Sequence, residues 1–199
     1  DSTFGITGEG FAILAADASA ARSILVFKHD QDKIVALDSH KLLVGAGTAA
    51  DCVNFNEYIS KNMKLYELNN DLQLTTKSAA NFIRGELATA LRKGPYQTNL
   101  LLAGYDSTPS SQNGSVSLYV MDYMASLSKT DYGAHGYASN FILSVMDREW
   151  RKGMNLTEVL EVAKKCIHEL NTRFMISQPV FIVKLVDKDG TRVIDINNP

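Results

Sequence analysis

Few side chains in this sequence could carry chemistry, and along the chain they do not cluster. The four histidines, His29, His40, His135 and His168, stand at no spacing that would bring two of them onto one ion, so no zinc site is expected. His135, between Ala134 and Gly136 among glycines and tyrosines, reads as a hydrogen-bonded packing residue. Cys52 and Cys166 are the only cysteines, and both fall on helical patterns. Each is expected to be a small buried apolar thiol, not half of a disulfide framework or a metal site. Two such thiols fit the reducing cytosol or nucleus. No glycine motif could cradle a phosphate, and Trp150 and the helix stripes read as core or interface, so no cofactor is expected. Asp17 with Lys33 can form an ion pair supporting the N-terminal strand. Gly47 reads as a tight turn into a helix.

The elements that would position these residues follow from the patterning. A chain of 199 residues with 45% hydrophobic residues can bury a substantial core, and one domain over residues 1–199 is expected. A net charge of −2 without any Lys/Arg-rich run argues against nucleic-acid or anionic-membrane partners. The longest apolar stretches, Asn99–Tyr105 and Pro179–Leu185, are too short to span a bilayer. Asp1–Gly10 is polar and does not read as a signal peptide. Asn113-Gly114-Ser115 and Asn155-Leu156-Thr157 match a glycosylation pattern but read as a turn and a helix cap.

Thr3–Thr7 and Phe11–Ala16 read as strands flanking a turn at Gly8–Gly10, followed by Ser23–Lys28, Lys33–Leu37 and Lys41–Ala46. The period then changes. Thr48 with Asp51 resembles a capping box, and a helix is predicted over 48–69. A second starts at Thr75 or Thr76 and ends at Gly94-Pro95. Strands return at Gln97–Tyr105, Ser115–Met121 and Tyr123–Ser128, with a surface loop over Asp106–Gly114. Phe141, Ile142, Val145 and Met146 mark a third helix ending near Trp150. Asn155 and Glu158 cap a fourth. Val180–Val186 and Thr191–Ile196 close the chain as a hairpin, before an irregular tail at Asn197-Asn198-Pro199. Strands, two helices, strands, two helices and strands predict an α+β fold. The expected architecture is a four-layer αββα sandwich of two stacked antiparallel sheets flanked by helix pairs.

That order, with glycine at the first strand-to-helix junction, resembles the N-terminal-nucleophile hydrolases. Ala15-Ala16-Asp17, Asp32-Lys33 and Gly45-Ala46-Gly47-Thr48-Ala49-Ala50-Asp51 fall at the spacing from residue 1 that is similar to proteasome beta subunits. Further segments resemble one non-catalytic member of that family. They are Phe82-Ile83-Arg84, Pro95-Tyr96-Gln97, Gly104-Tyr105-Asp106, Tyr132-Gly133-Ala134-His135-Gly136-Tyr137 and Val186-Asp187-Lys188-Asp189-Gly190.

In that family the first residue is a threonine whose hydroxyl attacks the peptide carbonyl, while its own α-amine or a water takes the proton. A lysine lowers the nucleophile's pKa, an aspartate holds the lysine, and a glycine N–H stabilises the oxyanion. The resemblance places Asp17 and Lys33 in the orienting pair, Gly47 at the oxyanion donor and Asp1 at the nucleophile. His135 falls where catalytic members carry serine, Phe174 where they carry an aspartate, and Ser177 where they carry a further serine. A carboxylate has no hydroxyl to deprotonate, and its attack on an amide would give an unfavourable mixed anhydride. The resemblance therefore implies no catalytic residue, with these seven as vestigial positions.

It also implies a structural subunit of the 20S core particle, active in ubiquitin-dependent protein degradation in cytoplasm and nucleus. Its partners would be other beta subunits, laterally and across the ring–ring interface, together with alpha-ring subunits. The outer faces of helices 48–69 and 75–92 and the segment Thr191–Pro199 are the candidate contacts. Two alternatives are trimming to Thr3 as an active nucleophile, which shortens the spacing to Asp17 and Lys33 by two residues, and a binding or assembly protein of this fold outside a proteasome.

Overall fold

A computed structural model describes residues 1–22, 25–107 and 114–196. Six strands come first: β1 (Ser2–Thr7), β2 (Ala12–Asp17), β3 (Ala20–Arg22), β4 (Leu25–Lys28), β5 (Ile34–Asp38) and β6 (Lys41–Gly47). Helices α1 (Ala49–Asn70) and α2 (Thr76–Ala90) follow, then β7 (Thr98–Asp106), β8 (Ser115–Met121), β9 (Leu127–Thr130) and β10 (Tyr132–Gly136). After α3 (Ala138–Glu149) and α4 (Leu156–Arg173), β11 (Phe181–Asp187) and β12 (Gly190–Ile194) complete the order.

Two five-stranded antiparallel sheets result, ordered β10-β1-β2-β11-β12 and β5-β6-β7-β8-β9. Three apolar layers hold them. Ala12, Leu14, Ala16 and Val186 of the first sheet meet Leu42, Val44, Leu101, Ala103 and Leu118 of the second. The outer face of the first sheet packs Phe4, Ile6, Ile13 and Val183 under α3 and α4, through Ile142, Met146, Val159, Leu160 and Ala163. The outer face of the second packs Leu43, Leu100 and Leu102 under α1 and α2, through Phe55, Ile59, Ala79, Ile83 and Leu87. This is the αββα sandwich read from the element order. Because β1 and β2 lie between other strands and are covered on both sides, they are apolar or small on both faces and buried throughout.

The turn at Gly8–Gly10 forms as expected: Gly8 N donates to the Phe11 carbonyl at 2.8 Å, and Gly10 takes φ 81°. Asn155 and Glu158 form the reciprocal capping box at the start of α4. At α1 the expectation is corrected, since Thr48 makes no side-chain cap bond. Asp51 is drawn away to accept from Gln97 N at 3.0 Å, fastening α1 to the entry of β7.

The strand expected at Tyr123–Ser128 is also corrected. Asp122 Oδ1 accepts from Met124 N and Ser126 N at 2.9 and 2.8 Å, folding the chain into a turn before β9 begins at Leu127. Ala125 takes φ 63° there. Strands β3 and β10 were not foreseen. Residues 23–24 of one expected strand, most of the 106–114 loop with Asn113, and the 197–199 tail lie outside the described residues. The difference between the two caps has a direct test. Asn155→Ala should destabilise the fold by about 1 kcal/mol, and Thr48→Ala by only a few tenths, in urea unfolding followed by circular dichroism.

Candidate functional site

Strand β1 brings residue 1 to the rim of a cleft, and β2 carries Asp17 out beneath it. Lys33 stands immediately before β5, where Asp32 Oδ1 accepts from Ile34 N at 3.0 Å. From β11, Lys184 Nζ grips the same corner, bonding the Ile34 carbonyl at 2.6 Å and Asp32 Oδ2 at 2.5 Å. The residues on either side of Lys33 are therefore held in place.

Those partners are three oxygens. Lys33 Nζ donates to Asp1 Oδ1 at 2.7 Å, to Asp17 Oδ2 at 3.1 Å and to the Ser19 carbonyl at 2.9 Å. An ammonium has three protons, and all three are committed. Asp17, almost fully buried, uses its other oxygen to accept from Ser2 N at 2.7 Å. The aspartate thus fastens β1 and the lysine together, and Asp1 closes the arrangement from the solvent side.

Gly47 ends β6 beside this cluster. A Cβ there would stand 2.0 Å from the Gln97 carbonyl, so close backbone approach to β7 requires glycine. Gly136, at φ 72°, meets the same demand against the Asp1 carbonyl, where a Cβ would stand 2.1 Å away. The cleft has a volume of about 780 Å³, and its lining includes Asp1, Lys33, Gly47, Phe27, Val53 and Asn56.

Of the seven positions singled out in the sequence, Asp1, Lys33 and Gly47 line this cleft, and Asp17 bonds Lys33 from beneath it. His135, Phe174 and Ser177 do not line it. His135 faces inward on β10, opposite Thr3 of β1, with Nε2 3.2 Å from the Leu100 carbonyl. Burial holds its ring below the ordinary histidine range, and the contact with Leu100 only partly offsets this. Phe174 follows α4 and stacks on Tyr137, with centroids 5.1 Å apart, and against Phe141. Ser177 is exposed between α4 and β11.

Thr3 is 1% exposed inside β1, and its hydroxyl has no hydrogen-bond partner among the described residues. Cys52 lines the cleft, with Sγ 3.2 Å from Thr98 Oγ1; burial raises its pKa, partly offset by that bond. Cys166, on the buried face of α4, is pushed up to about 12 by burial. The Ser19 carbonyl and the Ser2 amide were missed from sequence. Backbone groups leave no residue signature.

A family model described as "Proteasome subunit" matches residues 1–186. The chain belongs to the proteasome subunit family. It is 52% identical to "Proteasome subunit beta type-2-A" of Arabidopsis thaliana over 192 residues, which is 96% of this chain and 92% of that one. It is 46% identical to "Proteasome subunit beta type-2" of Dictyostelium discoideum, covering 96% and 95%. With "Proteasome subunit beta type-4" of Saccharomyces cerevisiae the identity is 38%, covering 98% and 97%. The similarity spans both sheets and all four helices, and it marks a eukaryotic-type proteasome beta subunit that assembles with other proteasome subunits.

Two outcomes test the site's electrostatics. Lys33→Met strands a nearly buried carboxylate at Asp17 and should cost on the order of 3 kcal/mol in chemical denaturation. Asp1→Ala leaves Lys33 two acceptors and should cost less than about 1 kcal/mol. The second outcome concerns pH. His135 has a folded pKa below its unfolded one, so the unfolded state binds the proton more readily. Stability is then full above about pH 6.5 and falls as the pH drops through that value. His135→Gln, which keeps a donor for Leu100, should flatten the decline between about pH 6.5 and 5 in thermal melts.

Proposed function

We propose that this chain is a non-catalytic beta subunit of the proteasome core particle, and the segments that resemble one such member, the fourth by ring position, favour that position for it. The observation that carries the reading is the carboxylate of Asp1, bound to Lys33 at 2.7 Å, at the position where the family's chemistry uses a hydroxyl. Acyl transfer by a terminal threonine requires a side-chain oxygen that can lose a proton to a nearby base. Asp1 has no such proton, and Lys33 has no N–H left to orient a substitute.

Part of the scaffold around that position is kept, although His135 and Phe174 stand where catalytic members carry serine and aspartate. Gly47 still brings β6 against β7, and Asp17 still holds Lys33. The network now serves to pin the end of β1, which lies between β10 and β2 in the first sheet. Thr3 is a poor replacement nucleophile. Its hydroxyl is enclosed within β1, and cutting before it would delete both the Asp1–Lys33 pair and the Ser2–Asp17 bond.

The function that remains is structural. The subunit closes the beta ring, contacts neighbours on both sides and across the ring–ring and alpha–beta junctions, and supports adjacent threonine-protease subunits. It works in ubiquitin-dependent degradation in cytoplasm and nucleus. The deciding experiment treats the intact particle with an epoxyketone directed at N-terminal threonine and maps adducts by peptide mass spectrometry. Sister beta subunits should be labelled and this chain should stay unmodified. An adduct on Asp1, or on Thr3 as a new terminus, would overturn the reading.

A further inference from the structure

Lys188 and Asp189 form a two-residue turn between β11 and β12, and Gly190 stands opposite Asp187 at the outermost rung of that hairpin. Asp189 and Gly190 are the only Asp-Gly pair in the sequence. The fold requires the glycine. Gly190 takes φ 106°, and a Cβ there would stand 3.0 Å from the Ser39 carbonyl. Asp189 is therefore followed by the one residue whose amide nitrogen has no side chain beside it.

The Asp189 carboxylate is also loosely held. Its side chain is 67% exposed, and Lys188 Nζ stands 3.7 Å away, beyond hydrogen-bond range. The other aspartate of the hairpin is tied down. Asp187 accepts from two Arg192 nitrogens at 2.9 and 2.6 Å and from Asp189 N at 2.9 Å. Three more aspartates precede a small residue, serine, and each is committed. Asp1 is bound by Lys33, Asp38 by Lys41 and the His40 amide, and Asp106 by the amide and hydroxyl of Thr76.

We propose that Asp189 is a modification site of the folded protein, isomerising to isoaspartate through a cyclic imide with Gly190. The Gly190 nitrogen attacks Cγ of the protonated carboxyl group and closes a five-membered succinimide. The N–Cγ bond forms, the Cγ–O bond breaks, and the hydroxyl leaves with the amide proton as water. Water then adds at either ring carbonyl. Addition at the α-carbonyl leaves Gly190 joined through Cγ, which is isoaspartate. The reaction draws on water alone and needs no enzyme, metal or oxidant. The nitrogen must first leave its rung opposite Asp187. That rung borders an exposed turn, and β12 is an edge strand with one neighbour, so opening there costs least. The product adds a methylene to the main chain of the turn. Turn length sets hairpin register, so the pairing of β12 with β11 is disturbed from Gly190 onward. None of this depends on what stands at residue 1.

The test ages the assembled particle for several weeks at physiological temperature and neutral pH. Isoaspartate is then located by peptide mass spectrometry after methyl labelling with an isoaspartyl methyltransferase. Its level at residue 189 should exceed that at Asp1, Asp38 and Asp106 by at least tenfold. Asp189→Glu, whose longer side chain would need a six-membered ring, supplies the blank. The urea-unfolded chain is aged in parallel, and the folded turn should isomerise at no less than a tenth of its rate. A level at residue 189 no higher than at the three serine-flanked sites would overturn the proposal. So would a folded rate below a tenth of the unfolded one, since the hairpin would then protect the pair.

Discussion

The end of β1 is fixed by one buried carboxylate. Asp17 gives one oxygen to the Ser2 amide and the other to the Lys33 ammonium. A buried charge is tolerable only when it is paired and fully hydrogen-bonded, and here each demand is met by a different element. β1 supplies the amide, the entry to β5 supplies the ammonium, and the Ser19 carbonyl behind β2 takes one of the lysine's remaining protons. The two sheets are thus joined by a polar clamp at one end and by an apolar layer through Leu14, Leu42, Leu101 and Val186 along the middle.

That clamp explains why two glycines beside it are needed. Gly47 lets β6 come within backbone contact of Gln97, and Gly136 lets β10 close over the Asp1 carbonyl. Both positions bring main chain near residue 1 without a side chain between. The result is a cleft flanked by close backbone contacts on both sides of residue 1. A carboxylate there simply becomes a third ligand for Lys33.

Much of this was legible in the sequence, for identifiable reasons. The shift from strand to helix period and back gave the layer order, and the capping box at Asn155 and Glu158 marked α4 because both partners are side chains. Asp17, Lys33 and Gly47 were brought together by the resemblance to proteasome beta subunits, whose spacing from residue 1 they match. The segment at Tyr123 misled because its apolar residues fit a strand, while the controlling feature is one carboxylate of Asp122 stapling two backbone amides. Strand β10 was missed because Tyr132-Gly133-Ala134-His135-Gly136 is rich in small residues, which make poor strands except when neighbours cover them. Phe174 and Ser177 lie apart from the cleft because the chain after α4 turns toward Tyr137, a tertiary contact without local signature.

The burial of Cys166 has a further consequence. With burial pushing its thiol up to about 12, almost none of it is the reactive thiolate at neutral pH. Alkylating and oxidising agents therefore meet an inert sulfur so long as α4 stays seated on the first sheet. Loss of that inertness would record the lifting of the helix, giving the second helical layer a built-in chemical reporter of its own opening.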